Sequence, residues 1–205
     1  MTDWEKDAEL LERWRAGDDH AGEQLFDRHG RAVSRFFRNK VHKDIDDLVQ
    51  ATFLALIEGR ERIRRGAAFR AFILGIARNI LTKHLRKLQR GREVDPEVDS
   101  MAELAPGAST ISSRKQEHKL LLEGLRRLPV THQLALELFY WEELNAAEIA
   151  EIMGVSHSAM RSRLAKARSL LEQSMAEVAA SPELLASTIG GLERWAGEVR
   201  ERFSR

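Results

Sequence analysis

The hydrophobic residues of this chain recur at intervals of three and four positions over most of its length. This spacing is typical of amphipathic α-helices, and no segment shows the period of two that indicates a half-buried strand. The pattern therefore predicts an all-α protein. In the first part of the chain it predicts four helices: one around residues 10–14, one over 20–38, one beginning near 44 and one over 69–87.

The helical pattern disappears between residues 89 and 113, where proline, glycine, serine and acidic residues take over. A structureless stretch of this length is unusual inside one compact domain, so it predicts a flexible linker between two small helical domains. After it the pattern resumes, with helices over residues 115–127 and 131–141. We divide the chain into a first domain, a linker, a second domain and a C-terminal extension, at residues 1–88, 89–113, 114–173 and 174–205.

The strongest local signal lies in residues 144–173, which predict a short helix, a tight turn and a longer helix. Asn145 and Glu148 have the spacing of a capping box. Gly154 ends the short helix, and the hydroxyl of Ser156 is placed to cap the next one. This is the pattern of a helix-turn-helix, whose second helix enters a major groove. The alternative is an ordinary helical hairpin with a solvated basic face. The exposed arc of the second helix carries four bases and no acid: Arg161, Arg163, Lys166 and Arg168.

Charge is unevenly distributed, although 33 basic and 32 acidic residues give a net charge of only +1. Residues 1–27 hold nine acids and three bases, whereas residues 60–92 hold eleven bases and one acid. The helix-turn-helix forms a second basic segment, and two separate basic surfaces on a nearly neutral chain predict two contacts with DNA.

Several other function classes find no support in the sequence. The chain has no cysteine and its seven histidines are scattered, so we expect no metal and no cofactor. We also expect no enzyme, because neither a nucleophile with its base nor a phosphate-binding loop can be assembled. No run is long enough for a membrane span and the N-terminus does not resemble a signal peptide, so we expect a cytoplasmic protein with no membrane contact.

Three motifs stand out in the first domain: DIDDLVQATFL at residues 44–54, FRAFI at 69–73 and IARN at 76–79. In this order they resemble region two of bacterial sigma factors. The resemblance implies a polar helix face that docks on RNA polymerase and a following basic, aromatic helix that melts the promoter.

The second domain contains three further motifs: LP at residues 128–129, EIAEIMGVS at 148–156 and MRSRL at 160–164. They resemble region four of the extracytoplasmic-function (ECF) group of sigma factors, and the whole resemblance covers roughly residues 10–173. It implies a dissociable, non-enzymatic subunit that binds core RNA polymerase and promoter DNA and directs transcription initiation. It also makes an anti-sigma protein a candidate partner.

The resemblance also implies roles for particular residues of region two. Polymerase docking falls on Asp46, Asp47 and Gln50, which are the polar positions of an otherwise apolar helix. Bases that flip out of the duplex need a pocket with aromatic or apolar walls and a basic rim. Phe69 and Ile76 are expected in the protein core and not in this pocket. The expected contacts with the minus-10 element are Phe72, Asn79, Lys83, Arg86 and Lys87.

In region four the expected contacts with the minus-35 element lie on the second helix of the helix-turn-helix. Side chains at its start contact bases, and those further along contact phosphates. The base-contacting residues are Arg161, Ser162 and Arg163, the phosphate-contacting residues are Lys166 and Arg168, and His157 and Met160 are weaker candidates.

The sequence departs from the family pattern in three places. Ala51 stands where many members carry glutamate, and Phe72 replaces a common tryptophan. The third departure is the extension, in which Ser181 and Pro182 start a helix and Gly190-Gly191 favours two short helices as much as one. It carries an apolar stripe that must find a surface: the second domain, a clasp between the domains, or an external partner. The stripe consists of Leu185, Ile189, Leu192, Trp195, Val199 and Phe203.

Two other functions stay open from the residues alone. A stand-alone helix-turn-helix regulator would bind DNA without polymerase and would have no need of the basic, aromatic helix at residues 69–87. An adaptor that sequesters polymerase would have no use for the basic recognition helix.

Overall fold

The computed structural model describes residues 3–63, 69–89, 92–107 and 115–203. These residues are helical apart from turns, loops and one isolated bridge between Ser100 and Pro129, so the predicted all-α class is confirmed. A short 3₁₀ helix, Arg60–Arg62, follows the third helix. The α-helices are α1 (Asp3–Arg15), α2 (Asp19–Arg38), α3 (Ile45–Gly59), α4 (Phe69–Leu88), α5 (Met101–Leu104), α6 (Gln116–Arg126), α7 (Val130–Tyr140), α8 (Ala146–Met153), α9 (His157–Val178), α10 (Pro182–Gly190) and α11 (Leu192–Phe203).

The first four helices pack as the predicted four-helix unit. Helix α2 lies in the middle and contacts α1, α3 and α4, while α3 also packs on α4. Asp18 caps α2 by accepting a hydrogen bond from the backbone N–H of Ala21 at 3.2 Å. The apolar faces meet in a dry core, and fully buried side chains from three different helices include Leu25, Leu56 and Ile73. Burial of this face, rather than helix propensity alone, holds the unit together.

The helix-turn-helix forms as predicted because its caps are present. The Asn145 side chain accepts from the N–H groups of Ala147 and Glu148, and Glu148 accepts in return from the N–H of Asn145 at 2.8 Å. Gly154 ends α8 with a φ of +68°, a conformation that glycine adopts without strain. The Ser156 hydroxyl then accepts from the N–H of Ala159 at 3.2 Å and starts α9.

The linker departs from its prediction. Residues 92–107 do not lack packing positions, since the side chains of Val94, Met101 and Leu104 are buried in the common core. Ser100 and Glu103 form a capping box that starts α5. Isolated apolar residues in a proline-containing stretch give no periodic signal, and their burial depends on surfaces that distant helices supply. Residues 90–91 and 108–113 of the predicted linker lie outside the described residues.

Buried polar contacts join the two halves of the chain. Glu142, which follows α7, accepts two hydrogen bonds from Arg35 of α2, at 2.6 and 2.9 Å, and pairs with Arg70 of α4. Lys40 pairs with Glu137 of α7 and is fully buried. Helix α8 also packs against α4. We call this packing of the two halves the closed arrangement.

The extension forms two helices, one of the two forms that its glycine pair allowed. Ser181 caps α10 by accepting from the N–H of Leu184 at 3.2 Å, and Pro182 lies in its first turn. Helix α10 packs on α6 and α9, while α11 packs on α6 and α7 and also contacts α2. Trp195 is buried. The extension thus lies on the second half of the chain, the first of the three surfaces considered above. The side chains of Val199 and Phe203 lie outside the described part of the chain.

Candidate nucleic-acid interface

An acidic surface lies at the start of α3. Asp46, Asp47 and Gln50 are all exposed there, as their polar pattern predicted. Both carboxylates lie in the first turn of α3, where the helix dipole favours negative charge. Leu48, Thr52 and Leu56 are buried on the opposite face and fix the orientation of the helix. The fold therefore presents these three polar side chains to solvent.

The same surface contains two apolar residues that the sequence analysis missed. Leu54 is 55% exposed and Ile57 is 38% exposed. Both share a helix face with Gln50, because residues three and four apart are neighbours on a helix. The available signal was the presence of large apolar residues on the polar side of α3. Acids, an amide and exposed apolar groups together are suited to bind a protein rather than DNA.

Helix α4 carries a stripe of predicted DNA-contacting residues along one face. Residues 72, 79, 83 and 86 are spaced by seven, four and three positions, which places them on one side over about 21 Å. Asn79, Lys83, Arg86 and Lys87 are exposed, and Phe72 is half-buried. Phe69 is fully buried and Ile76 partly buried against the core, as expected for both.

The first part of this stripe faces the helix-turn-helix. A cleft of about 400 Å³ lies between α4 and α8, and its walls include Phe72, Asn79 and Glu151. The Arg78 guanidinium donates to the carbonyl oxygen of Ile152 at 3.5 Å and so links the two helices. Burial, then the nearby charge of Arg163, lowers the pKa of Arg78. In the closed arrangement, Phe72 and Asn79 therefore line the cleft. The three basic residues of the stripe lie outside it and are exposed further along α4: Lys83, Arg86 and Lys87.

Helix α9 presents most of its predicted contacts to solvent. His157, Arg161, Ser162 and Lys166 are exposed. Arg168 is also exposed, and its guanidinium lies 5.2 Å from the ring centroid of Phe139. This cation–π contact restrains the arginine on the surface of α7.

Two predicted residues of α9 differ from this picture. Met160 is fully buried, so its prediction as a DNA contact is wrong: it shares a helix face with Leu164 and Ala167, which pack in the core. Arg163 has only 18% of its side chain exposed and forms an ion pair with Glu97 at 2.8 Å. Its guanidinium is therefore occupied by a carboxylate from the linker.

None of the helices in residues 3–63, 69–89, 92–107 and 115–203 has both the length and the apolar composition that a membrane span requires. The same ranges contain no group of three acidic, histidine or cysteine side chains arranged to hold a metal ion.

Fold and surfaces together define an all-α helix-turn-helix protein with exposed basic side chains on α4 and α9 and a separate acidic and apolar surface on α3. Two family patterns match it: Sigma-70 region 2 over residues 25–91 and Sigma-70 region 4 over residues 118–171. The first match includes α3 and α4, and the second includes the helix-turn-helix.

Relatives match the chain over most of their length. RNA polymerase sigma factor CarQ of Myxococcus xanthus is 34% identical over 175 residues, which cover 82% of this chain and 97% of CarQ. RNA polymerase sigma factor NccH of Alcaligenes xylosoxydans xylosoxydans is 30% identical, with coverages of 83% and 95%. ECF RNA polymerase sigma factor SigM of Mycobacterium tuberculosis is 29% identical, with coverages of 80% and 82%.

Solved structures share the fold. CnrH, in complex with the cytosolic domain of CnrY, matches with a TM-score of 0.62 and 24% identity, over 85% of this chain and 99% of CnrH. The sigma factor RpoE of Bartonella quintana, in complex with the anti-sigma factor NepR, matches with a TM-score of 0.58 and 19% identity, over 77% and 97%.

The chain belongs to the ECF group of bacterial RNA polymerase sigma factors. It is accordingly a subunit that binds core RNA polymerase and promoter DNA and directs transcription initiation. Sigma factors as a class are non-enzymatic initiation factors.

Proposed function

We propose that the three surfaces described above divide the work of promoter-specific initiation among them. The observation that carries this proposal is that the three surfaces are separate and differ in chemistry. Acids and exposed apolar groups lie together on α3, and bases lie on α4 and α9. Acidic and basic side chains are thus kept on separate surfaces, so the protein partner and the DNA can bind at the same time.

The α3 surface docks on core RNA polymerase. Asp46, Asp47 and Gln50 supply charge and hydrogen-bond acceptors, and Leu54 and Ile57 supply apolar area next to them. Ala51 is half-buried on α3, where many family members place a glutamate. One acid is therefore lost, and the apolar residues carry a larger share of the binding.

The α4 stripe binds the minus-10 element as the strands separate. Phe72 provides an aromatic surface for an unstacked base, and Asn79 provides amide hydrogen bonds to a base edge. Unstacking costs a few kcal/mol, which such contacts offset. Lys83, Arg86 and Lys87 lie further along the exposed face, where they bind the phosphates of the same strand.

Helix α9 binds the minus-35 element. Arg161, Ser162 and Arg163 face the bases from the first turns, and His157 lies at the entry of the helix. Lys166 and Arg168 bind phosphates further along. Met160 packs in the core and has no part in reading DNA.

We further propose the division of the chain into region two at 1–88, a linker at 89–113, region four at 114–173 and an extension at 174–205. The protein itself is not an enzyme and acts in the cytoplasm, where polymerase and chromosome are found. An anti-sigma protein is a further candidate partner. The Bartonella quintana RpoE structure, which shares the fold, contains one.

Runoff transcription with purified core polymerase on genomic fragments tests the function. We expect new transcripts that core polymerase alone does not produce, and their start sites identify the promoter. If the added protein yields no transcripts above those of core polymerase, the proposed activity is wrong.

A double charge reversal tests the docking surface. Asp46→Lys with Asp47→Lys should weaken binding to core polymerase by about tenfold or more, because like charges then face the partner's basic side chains. Equilibrium binding of labelled protein to core polymerase measures the effect. The matched control is Glu23→Lys with Asp27→Lys, the same change at two exposed residues of α2. Equal weakening by both variants would contradict the assignment of the α3 surface.

A further inference from the structure

The recognition helix is partly occupied in the closed arrangement. One nitrogen of the Arg163 guanidinium donates to a carboxylate oxygen of Glu97 at 2.8 Å. The other oxygen of Glu97 accepts from the hydroxyl of Thr131, at the start of α7, at 3.0 Å. Both carboxylate oxygens therefore have partners in region four, although Glu97 itself belongs to the linker.

Backbone contacts hold Glu97 in this position. The N–H of Glu97 donates to the carboxylate of Asp95 at 3.0 Å. On either side of Glu97, the carbonyl oxygens of Pro96 and Asp99 each accept at 3.0 Å from N–H groups in the first turn of α7. The segment is thus anchored on α7, and little conformational freedom is lost when the ion pair forms.

Two arginines make the surroundings of Glu97 favourable for an anion. Its carboxylate lies within the electrostatic reach of Arg78 and is paired with Arg163. An arginine guanidinium binds a carboxylate, a phosphate and the acceptor edge of guanine by the same planar arrangement of donors. The ligand that region four binds with Arg163 in promoter DNA is thus chemically similar to the carboxylate that it holds in the free chain.

We propose that Glu97 is an internal competitor for DNA: it occupies Arg163 in the free sigma factor and leaves when binding to polymerase detaches the linker segment from α7. This inference rests on the proposed role of α9 in binding the minus-35 element. Arg163 must exchange a preformed ion pair for its DNA contact, so the free chain should bind promoter DNA less tightly than it would without Glu97.

The expected change in DNA affinity follows from the solvent exposure of the Glu97–Arg163 ion pair. Half of the Glu97 side chain is accessible to solvent, whereas only 18% of the Arg163 side chain is. Ion pairs with this degree of exposure are weak, so loss of the competitor should tighten DNA binding by about threefold to fivefold.

The test compares Glu97→Gln with Glu93→Gln in the full-length chain. Glu93 is an exposed acid of the same linker segment, so its replacement removes the same charge without touching Arg163. The probe is a fluorescent duplex that carries the upstream element mapped by runoff transcription, and anisotropy gives the Kd. We expect Glu97→Gln to bind about threefold to fivefold more tightly than wild type and Glu93→Gln to stay within about twofold. Equal affinities of the two variants, or no measurable binding by either, would overturn the proposal.

A second arm uses the holoenzyme with the same duplex. Because Glu97 has already left Arg163 in that state, wild type and Glu97→Gln should bind alike there. An equal gain in the free chain and in the holoenzyme would mean that Glu97 merely repels DNA, and the competitor role would be wrong. Arg161→Ala separates this result from a failure of the proposed function. If Arg161→Ala leaves DNA binding of the holoenzyme unchanged, the role of α9 fails whatever Glu97 does.

Discussion

Neighbouring basic residues on α9 have different surroundings. Arg161 is exposed, whereas Arg163, two positions further, lies against the linker and is paired with Glu97. Lys166 is exposed, but its ammonium is a point charge without the planar donor geometry that distinguishes one base from another. We therefore assign sequence reading to the arginines and general attraction to the lysine.

Arg161→Ala should reduce selectivity for the upstream element by about 1–3 kcal/mol, because a base contact is lost. Lys166→Ala should weaken binding to matched and scrambled duplexes alike and lower the salt dependence of the Kd, because only a phosphate contact is lost. Anisotropy titrations of the holoenzyme on both duplexes at two salt concentrations measure these changes. If Arg161→Ala weakens both duplexes equally, base reading by this residue is excluded.

At the scale of elements, Trp195 is one of the side chains that hold the extension on the second half of the chain. Its ring meets the buried His118 edge to face, with centroids 5.4 Å apart, and its indole N–H donates to the carbonyl of Ser187 at 3.2 Å. Glu198 adds an ion pair to Lys115, and its carboxylate lies 3.2 Å from the Nε2 atom of His118. The three side chains at positions 118, 195 and 198 therefore join α11 to α6.

Trp195→Ala should destabilise the packing of α10 and α11 by about 3–5 kcal/mol, because a large buried ring is lost and a cavity is left. Thermal unfolding followed by circular dichroism should show a lower midpoint, and Glu193→Ala, at an exposed position of the same helix, should change it little. Polymerase binding should not increase in either variant.

A gain of polymerase binding in Trp195→Ala, with the helical signal preserved, would instead favour a regulatory clasp. In that case the contact between α11 and α2 restrains the closed arrangement. Deletion of residues 181–205 tests the same point by removing the whole extension: a regulatory clasp predicts stronger polymerase binding with the helical signal preserved.

At the scale of the whole molecule, the closed arrangement depends on ion pairs buried between its halves. Burial opposes ionisation of Glu142, but hydrogen bonds and charges from Arg35 and Arg70 outweigh it and hold the pKa of Glu142 below its ordinary value. Buried ion pairs contribute little net stability, since desolvation offsets the attraction, yet removing one partner is costly. In the open molecule both partners return to water, so these ion pairs themselves oppose opening only weakly.

Glu142→Gln should therefore open the molecule rather than unfold it. Arg35 loses its buried partner, at a cost of about 3–5 kcal/mol that separation of the halves relieves. Small-angle scattering should show a larger radius of gyration with an unchanged helical signal. Glu172→Gln, an exposed acid of α9, is the matched control. A compact Glu142→Gln chain would contradict this role of the ion pair.

The stability of the closed arrangement should depend on pH in a defined direction, because of the Glu142 carboxylate. The pKa of Glu142 is depressed in the closed form, so its contribution to closure is complete above the ordinary glutamate pKa of about 4.3. That contribution is lost as the pH falls through the lower value of the closed form. Acidification should therefore expand the wild-type chain, whereas Glu142→Gln should already be expanded at neutral pH.

The sequence by itself determined the local structure and the family. Helix periodicity, the capping box at Asn145 and the turn at Gly154 depend on residues within a few positions of one another, so they are readable along the chain. The exposure of Asp46, Asp47 and Gln50 was predictable for the same reason, since their polar pattern lies on one face of a single helix.

Only the tertiary structure decided which surfaces meet. Val94 and Met101 are buried by helices that are distant in the sequence, and Glu97 reaches Arg163 across 66 positions. Glu142 meets Arg35 across 107 positions. Such contacts depend on how the helices are placed in space, and hydrophobic periodicity carries no information about that placement. A glutamate in the sequence gives no sign of whether its partner in the folded chain is water or an arginine from the other half.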